Sequence, residues 1–147
     1  MDKATKALEL LGREGVVCAP SVFAAFAEEC GISEKQALQT AACFGGGMGR
    51  GNVCGASTGA LMVLGMICSQ GDPDDPENVD LACEKSAEFL AEFEKRKGSI
   101  LCRELLGCDL GTEEGQAYAA EHELFANVCP GMVAEAARIL EDMLKEQ

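Results

Sequence analysis

Cysteines are the residues of this chain best suited to chemistry, because its 147 residues include nine of them against one histidine and no tryptophan. Thiolates act as nucleophiles, redox groups and metal ligands, and the partial positive charge at a helix N-terminus favours the thiolate form. Four of the nine fall at predicted helix starts: Cys18, Cys54, Cys102 and Cys129. If the fold brings these helix ends together, they can hold several thiolates or a thiolate-bound cluster.

The remaining cysteines are predicted to differ from these four. Cys30, Cys43 and Cys68 fall near helix C-termini and Cys83 on the expected apolar side of a helix, so we expect all four to be inert and buried. Cys108 lies in a predicted loop, where it either resolves a sulfenic acid or disulfide or only closes the turn.

No pair of cysteines has the C-x-x-C spacing. The chain therefore lacks the thioredoxin-like redox motif and the paired ligands of a zinc ribbon or a ferredoxin. Any site with four sulfur ligands has to be assembled by tertiary structure.

A glycine-rich loop, "FGGGMGRGNV", precedes Cys54. It matches neither of the two common phosphate-binding glycine motifs, and no strand is predicted before it. Its glycines favour positive φ and close backbone approach beside Cys54.

Arg50 is the one cation of the loop: it either lowers the pKa of a nearby thiol, contacts an anionic substrate, or is a solvated surface residue. His122 lies in an acidic helical context and is predicted to be a surface residue.

Apolar residues recur at spacings of three and four almost throughout, which predicts an all-α fold. We expect one compact domain over residues 1–147, a bundle of about six to eight helices in which the glycine-rich loop leads into a central helix. Gly55, Gly59 and Gly65 predict close packing of that central helix. The predicted helices cover 3–12, 19–30, 33–43, 54–69, 78–97, 100–107, 113–125 and the segment from 130 onward.

Charge and hydropathy exclude several partners. The net charge is −13 and no strong basic cluster occurs, so nucleic acid and anionic lipid are poor partners, whereas a basic redox partner protein is suited to the acidic surface. The uncharged stretch 51–71 is diluted by glycine and polar residues, which favours a buried core helix over a membrane span. The N-terminus has no secretory-signal pattern, and an odd cysteine count is atypical of a disulfide scaffold, so we expect a cytoplasmic location. The sequence does not fix the oligomeric state.

The order of these motifs resembles a known family. Cys18, then the stretch Cys54-Gly55-Ala56-Ser57-Thr58-Gly59, then Cys102 and Cys129, together with the glycine loop and "CRELLGCDL", resemble the C_GCAxxG_C_C family of redox-active proteins over nearly the whole chain. The resemblance implies redox work and an iron–sulfur cluster, with these four cysteines as the functional residues. Similar domains occur joined to haem-bearing modules in anaerobes. Family members usually set the first cysteine in Asn-Cys-Ala-Gln, whereas Val17 and Pro20 flank Cys18-Ala19 here.

Three functions fit these observations. In the favoured one, the four cysteines hold an iron–sulfur cluster for electron transfer. A close alternative is a thiol–disulfide or peroxide-reducing oxidoreductase, with Cys54 as the nucleophile and Arg50 as its activator; the resolving thiol is then Cys18, Cys102, Cys108 or Cys129. A structural zinc site in an interaction domain is the least favoured, and would predict a chain that unfolds on chelation.

Overall fold

The computed structural model describes residues 1–146, which form ten α-helices and no extended strand. The all-α prediction is therefore confirmed. The segment Gly47–Gly51 between the fourth and fifth helices is tightly coiled but not a regular helix, because Met48 and Gly49 within it have positive φ. The helices are α1 (Lys3–Leu11), α2 (Cys18–Ala25), α3 (Ala27–Cys30), α4 (Glu34–Ala41), α5 (Gly55–Cys68), α6 (Pro76–Lys97), α7 (Cys102–Leu106), α8 (Glu113–Glu121), α9 (Leu124–Asn127) and α10 (Cys129–Lys145).

Two of the predicted helices are each broken into two, which is why the structure has more helices than expected. The predicted helix 19–30 breaks at Phe26, whose N–H bonds to the carbonyl of Phe23 in a tightened turn while its ring is buried in the core. The predicted helix 113–125 breaks at Glu123, which adopts the left-handed conformation with φ 53°. A non-glycine residue in that conformation cannot continue a right-handed helix.

Helix α5 lies at the centre of the bundle, as predicted, and packs against α2, α6 and α10. Its closest approach is to α2. A Cβ atom added to Gly59 would lie 2.5 Å from the carbonyl oxygen and 3.2 Å from the Cα of Ala19. A Cβ atom on Gly55 would collide with the sulfur of Cys18. The expectation for Gly65 is wrong, because no atom lies within 4 Å of the Cβ position there.

The buried side chains divide into two clusters. The larger cluster joins α1, α2, α5, α6 and α10, and the stacked rings of Phe89 and Phe93, 5.9 Å apart, lie within it. The smaller cluster, which we call the α7–α8 cluster, is formed by Cys102, Leu106, Leu110 and Ala119. Cys108 and Cys129 pack against its edge, together with Leu124 and Val128.

The uncharged segment of α5 does not have the dimensions of a membrane span. The helix is 14 residues long, and no helix within residues 1–146 is both long and apolar enough to cross a bilayer.

The contact between α5 and α2 predicts opposite effects for two glycines of one helix. Gly59→Ala should lower the free energy of unfolding by about 1–3 kcal/mol, because the new methyl group is forced against the Ala19 backbone. Gly65→Ala is the matched control and should raise it by about 0.5–1 kcal/mol, because a helical alanine is favoured where space is open. Urea denaturation measures both; equal effects of the two substitutions would contradict the proposed contact.

Candidate functional site

Each of the four cysteines predicted to act together stands at the beginning of a helix. Cys18, Cys102 and Cys129 are the first residues of α2, α7 and α10, and Cys54 is the residue that immediately precedes α5. All four line a single cavity of about 250 Å³. The structure thus brings together four residues that are spread over more than 110 positions of sequence (129 − 18 = 111).

The glycine-rich loop delivers the chain to Cys54. Gly46, Gly47, Gly49 and Gly51 all have positive φ, between 61° and 69°, so the loop turns sharply before Asn52. A side chain at Gly47 would collide with the Asn52 backbone, which lies directly against it. Glycine is therefore required here for backbone conformation and close approach, as predicted, and Gly46 itself lines the cavity.

A short antiparallel β-bridge holds two of the cysteines side by side. The N–H of Cys54 donates to the carbonyl of Ile100 (2.7 Å), and the N–H of Cys102 donates to the carbonyl of Asn52 (2.6 Å). The two helix starts are consequently fixed to each other by backbone hydrogen bonds. Sequence reasoning missed this bridge, because a pair of single residues has no alternating pattern to detect.

The third cysteine is positioned by the packing of α2 on α5. The Sγ atom of Cys18 lies over Gly55, the residue directly after Cys54. It occupies the space that a side chain at position 55 would need. Burial is the main cause of the raised pKa of Cys54, Cys102 and Cys129, and the nearby thiol of Cys18 adds to it at each of them. Cys18 therefore interacts electrostatically with all three of the other thiols.

Burial makes these thiols harder to ionise. It raises the pKa of Cys54 and of Cys129 from 9.0 to about 12, and that of Cys102 to about 11. At Cys54 the backbone N–H groups of Ala56 and Ser57 act in the opposite direction, as expected at a helix start, but burial outweighs them. These three thiols are accordingly protonated at neutral pH when nothing is bound to them.

The rest of the cavity lining is apolar. Apart from the cysteines, the lining residues within the described chain are hydrophobic or glycine, and none carries a charge or a side-chain hydrogen-bonding group. Val17 and Phe125 are 44% and 50% exposed, so they form the solvent-facing edge of the cavity. The deeper lining includes Leu11, Val16, Leu105, Leu106, Leu110 and Met132. Sequence reasoning did not select these hydrophobic residues, whose helical spacing is typical of any core.

Two further residues were candidates for roles at the site. Arg50 is exposed and does not line the cavity, and its charge is not among the influences on the pKa of Cys54. Cys108 is half-buried and also lies outside the cavity lining. It packs against the α7–α8 cluster, to which Cys102 belongs. After burial and Cys18, the charge of Cys108 is a further cause of the raised pKa of Cys102.

The prediction of burial holds for two of the other four cysteines. Cys30 and Cys68 are buried, whereas Cys43 and Cys83 are exposed, so the expectation for the latter pair is wrong. Cys43 follows the end of α4 rather than completing it. Ala82 lies on the face of α6 that carries the buried Phe89 and Phe93. Cys83 is the next residue, which is rotated by about 100° around the helix, so its side chain lies off that face. His122 is exposed, as predicted, and stacks on Tyr118.

The cysteines share a cavity without forming a finished site for a single ion. Within residues 1–146, no three His, Cys, Asp or Glu side chains are grouped closely enough to hold one metal ion as they stand. A single tetrahedral zinc ion, with Zn–S bonds of about 2.3 Å, requires its sulfur ligands to be about 3.8 Å apart.

The fold and the site together define an all-helical, cysteine-rich protein whose thiols converge on a buried apolar cavity. Residues 16–143 match the model of the family described as "Putative redox-active protein (C_GCAxxG_C_C)", and the chain belongs to this family. It is therefore a redox-active, cysteine-rich protein by family. No curated protein and no solved structure matches the chain significantly.

The chain departs from the spelling of the family signature around Cys54. Where the signature places glycine before the second cysteine and alanine after it, this sequence has Val53 before Cys54 and Gly55 after it. The structure gives a physical reason for the glycine at 55, since the sulfur of Cys18 occupies the space of its side chain.

The raised pKa values predict slow alkylation of the cavity thiols in the reduced, metal-free protein. The rise at Cys54 from 9.0 to about 12 lowers its thiolate fraction at pH 7 about 1000-fold, so it should react far more slowly than the exposed Cys43. Its rate should keep rising with pH towards about 12, because the thiolate forms only there. Mass spectrometry after timed alkylation measures each site; a Cys54 that is alkylated first at pH 7 would refute this.

Proposed function

We propose that this protein is an electron carrier that holds an iron–sulfur cluster through Cys18, Cys54, Cys102 and Cys129. The observation that carries the proposal is the convergence of these four thiols on one cavity. Four cysteine thiolates are the usual ligand set of such clusters. When bound, the cluster supplies reversible one-electron chemistry.

The surroundings of the thiols support a negatively charged, thiolate-bound group. Helices α2, α5 and α10 begin at the cavity with Cys18, Cys54 and Cys129, and the unpaired N–H groups of a helix start favour negative charge. The apolar lining keeps water away from the site, which strengthens those interactions. Because burial opposes ionisation of the free thiols, the thiolate form depends on a bound cation.

The size of the cavity supports a cluster over a single zinc ion. A mononuclear zinc ion needs its ligands drawn closely around one point. In an iron–sulfur cluster, either each cysteine binds its own iron atom or two cysteines bind the same one. The four cysteine sulfur atoms therefore surround a group that is larger than a single ion. A cavity of about 250 Å³ provides the room for one.

The same observations count against a thiol enzyme. A nucleophilic cysteine needs a lowered pKa and access to its substrate, whereas Cys54 is 7% exposed and its pKa is raised to about 12. The proposed activator Arg50 does not line the cavity, and the cysteines themselves are the only lining residues that could act as a general acid or base.

The redox partner in this proposal is a basic protein that approaches the edge formed by Val17 and Phe125. These two exposed apolar side chains are where the cavity meets solvent. The net charge of −13 favours association with a cationic partner through long-range attraction, which added salt would weaken.

Anaerobic purification followed by metal analysis tests the proposal. The wild-type protein should be coloured and contain iron and acid-labile sulfide in equal amounts, and its visible absorbance should bleach on reduction with dithionite. Cys54→Ser should lose both, because one of the four ligands is missing. Cys43→Ser and Cys83→Ser are the matched controls, since they remove exposed thiols outside the cavity and should keep the full content.

Two results would contradict the proposal. A colourless wild-type protein with stoichiometric zinc would favour a structural metal site. Iron that persists in Cys54→Ser at the level of the controls would place the ligands elsewhere.

A further inference from the structure

Cys108 is a fifth thiol beside the four-cysteine cavity, and the proposed function does not use it. It packs at the edge of the α7–α8 cluster, to which Cys102 also belongs. Only six positions of sequence separate them. Cys102 is 6% exposed, whereas Cys108 is half-buried, so an oxidant from solvent reaches Cys108 first.

The segment that joins these two thiols is short and turns back on itself. Helix α7 has only five residues, so it contributes little stability of its own, and its start is held by hydrogen bonds from the N–H of Cys102 to Asn52 and from the N–H of Leu101 to Ser99 Oγ. It ends at Gly107, whose left-handed conformation (φ 74°) reverses the chain immediately before Cys108. The loop that a bond between Cys102 and Cys108 would close is therefore small.

We propose that Cys102 and Cys108 form a redox-switch disulfide that removes a ligand from the cavity. This inference rests on the proposed function for its consequence, because Cys102 is one of the four proposed ligands. Cys108 does not line the cavity, so bonding to it draws the sulfur of Cys102 out of the ligand set. The oxidised protein then has three cysteines available for the cluster instead of four.

The oxidant is a low-molecular-weight disulfide of the glutathione class. The Cys108 thiolate attacks one sulfur of that disulfide, which forms a mixed disulfide and releases one small thiol. Cys102 then loses its proton, attacks the sulfur of Cys108 in the mixed disulfide and releases the second small thiol; this step is slow at neutral pH, because burial raises the pKa of Cys102 to about 11. Two protein thiols are oxidised to one disulfide, and their two protons and two electrons leave with the two small thiols.

Disulfide mapping of the metal-free protein tests the switch. The full-length chain is stripped of metal with a chelator, reduced, treated with oxidised glutathione and digested with trypsin and a glutamate-specific protease. These enzymes separate three fragments that each contain one cysteine: 98–103 with Cys102, 105–113 with Cys108, and 124–135 with Cys129. The expected product is fragment 98–103 linked to fragment 105–113.

Reconstitution with ferrous iron and sulfide measures the consequence. The oxidised wild-type protein should fail to take up iron until it is treated with dithiothreitol, whereas Cys108→Ser and Cys108→Ala should take it up after the same oxidation. Cys43→Ser is the control for loss of an unrelated exposed thiol and should behave as wild type. Circular dichroism verifies that each variant keeps its helical content.

Two outcomes would overturn the switch: a Cys102 that links to Cys18, Cys54 or Cys129, or a Cys108 that remains joined to glutathione. The disulfide is mapped in metal-free protein, so a wrong disulfide contradicts the switch without contradicting the iron–sulfur proposal. The latter would appear as a reduced wild-type protein that takes up no iron at all.

Discussion

The close approach of α2 and α5 is the contact on which the site depends. Gly59 allows the backbone of α5 to lie against Ala19, and Gly55 leaves the space that the sulfur of Cys18 occupies. Once these two helices are in contact, Cys18 and Cys54 share one end of the bundle. The bridge between Val53 and Leu101 then fixes the start of α7 beside the start of α5. Packing of small residues thus places thiols that no local sequence pattern could bring together.

The electrostatics of the site follow from that packing. The contacts that assemble the cavity also bury its thiols, and burial raises the pKa of Cys54 and Cys129 to about 12 despite their positions at helix starts. Buried thiolates are stable only when a cation compensates for lost hydration. An apolar lining without a charged side chain supplies no such cation from within the described chain. A metal-containing group bound by all four sulfur atoms would stabilise the thiolate form, which the buried free thiols do not reach at neutral pH.

Local signals in the sequence predicted the helix starts and the all-α fold, but not the tertiary arrangement. Pro130 marked the start of α10, because proline is favoured in a first turn, and the glycine loop correctly predicted the turn before Cys54. The break at Phe26 was missed because the apolar pattern continues through it. Gly65 and Cys83 were predicted to lie on packed faces, but neither does. Whether a residue is packed depends on which neighbour covers that side of its helix, and periodicity alone does not supply that information.

The central claim is that one iron–sulfur cluster occupies the cavity at the starts of α2, α5, α7 and α10. Diffraction from anaerobically grown crystals, recorded on both sides of the iron absorption edge, tests it most directly. We predict a single anomalous peak inside the cavity, in continuous density with the sulfur atoms of Cys18, Cys54, Cys102 and Cys129. An iron peak bound elsewhere on the chain, or a cavity that holds a disulfide between two of these cysteines and no iron, would contradict it.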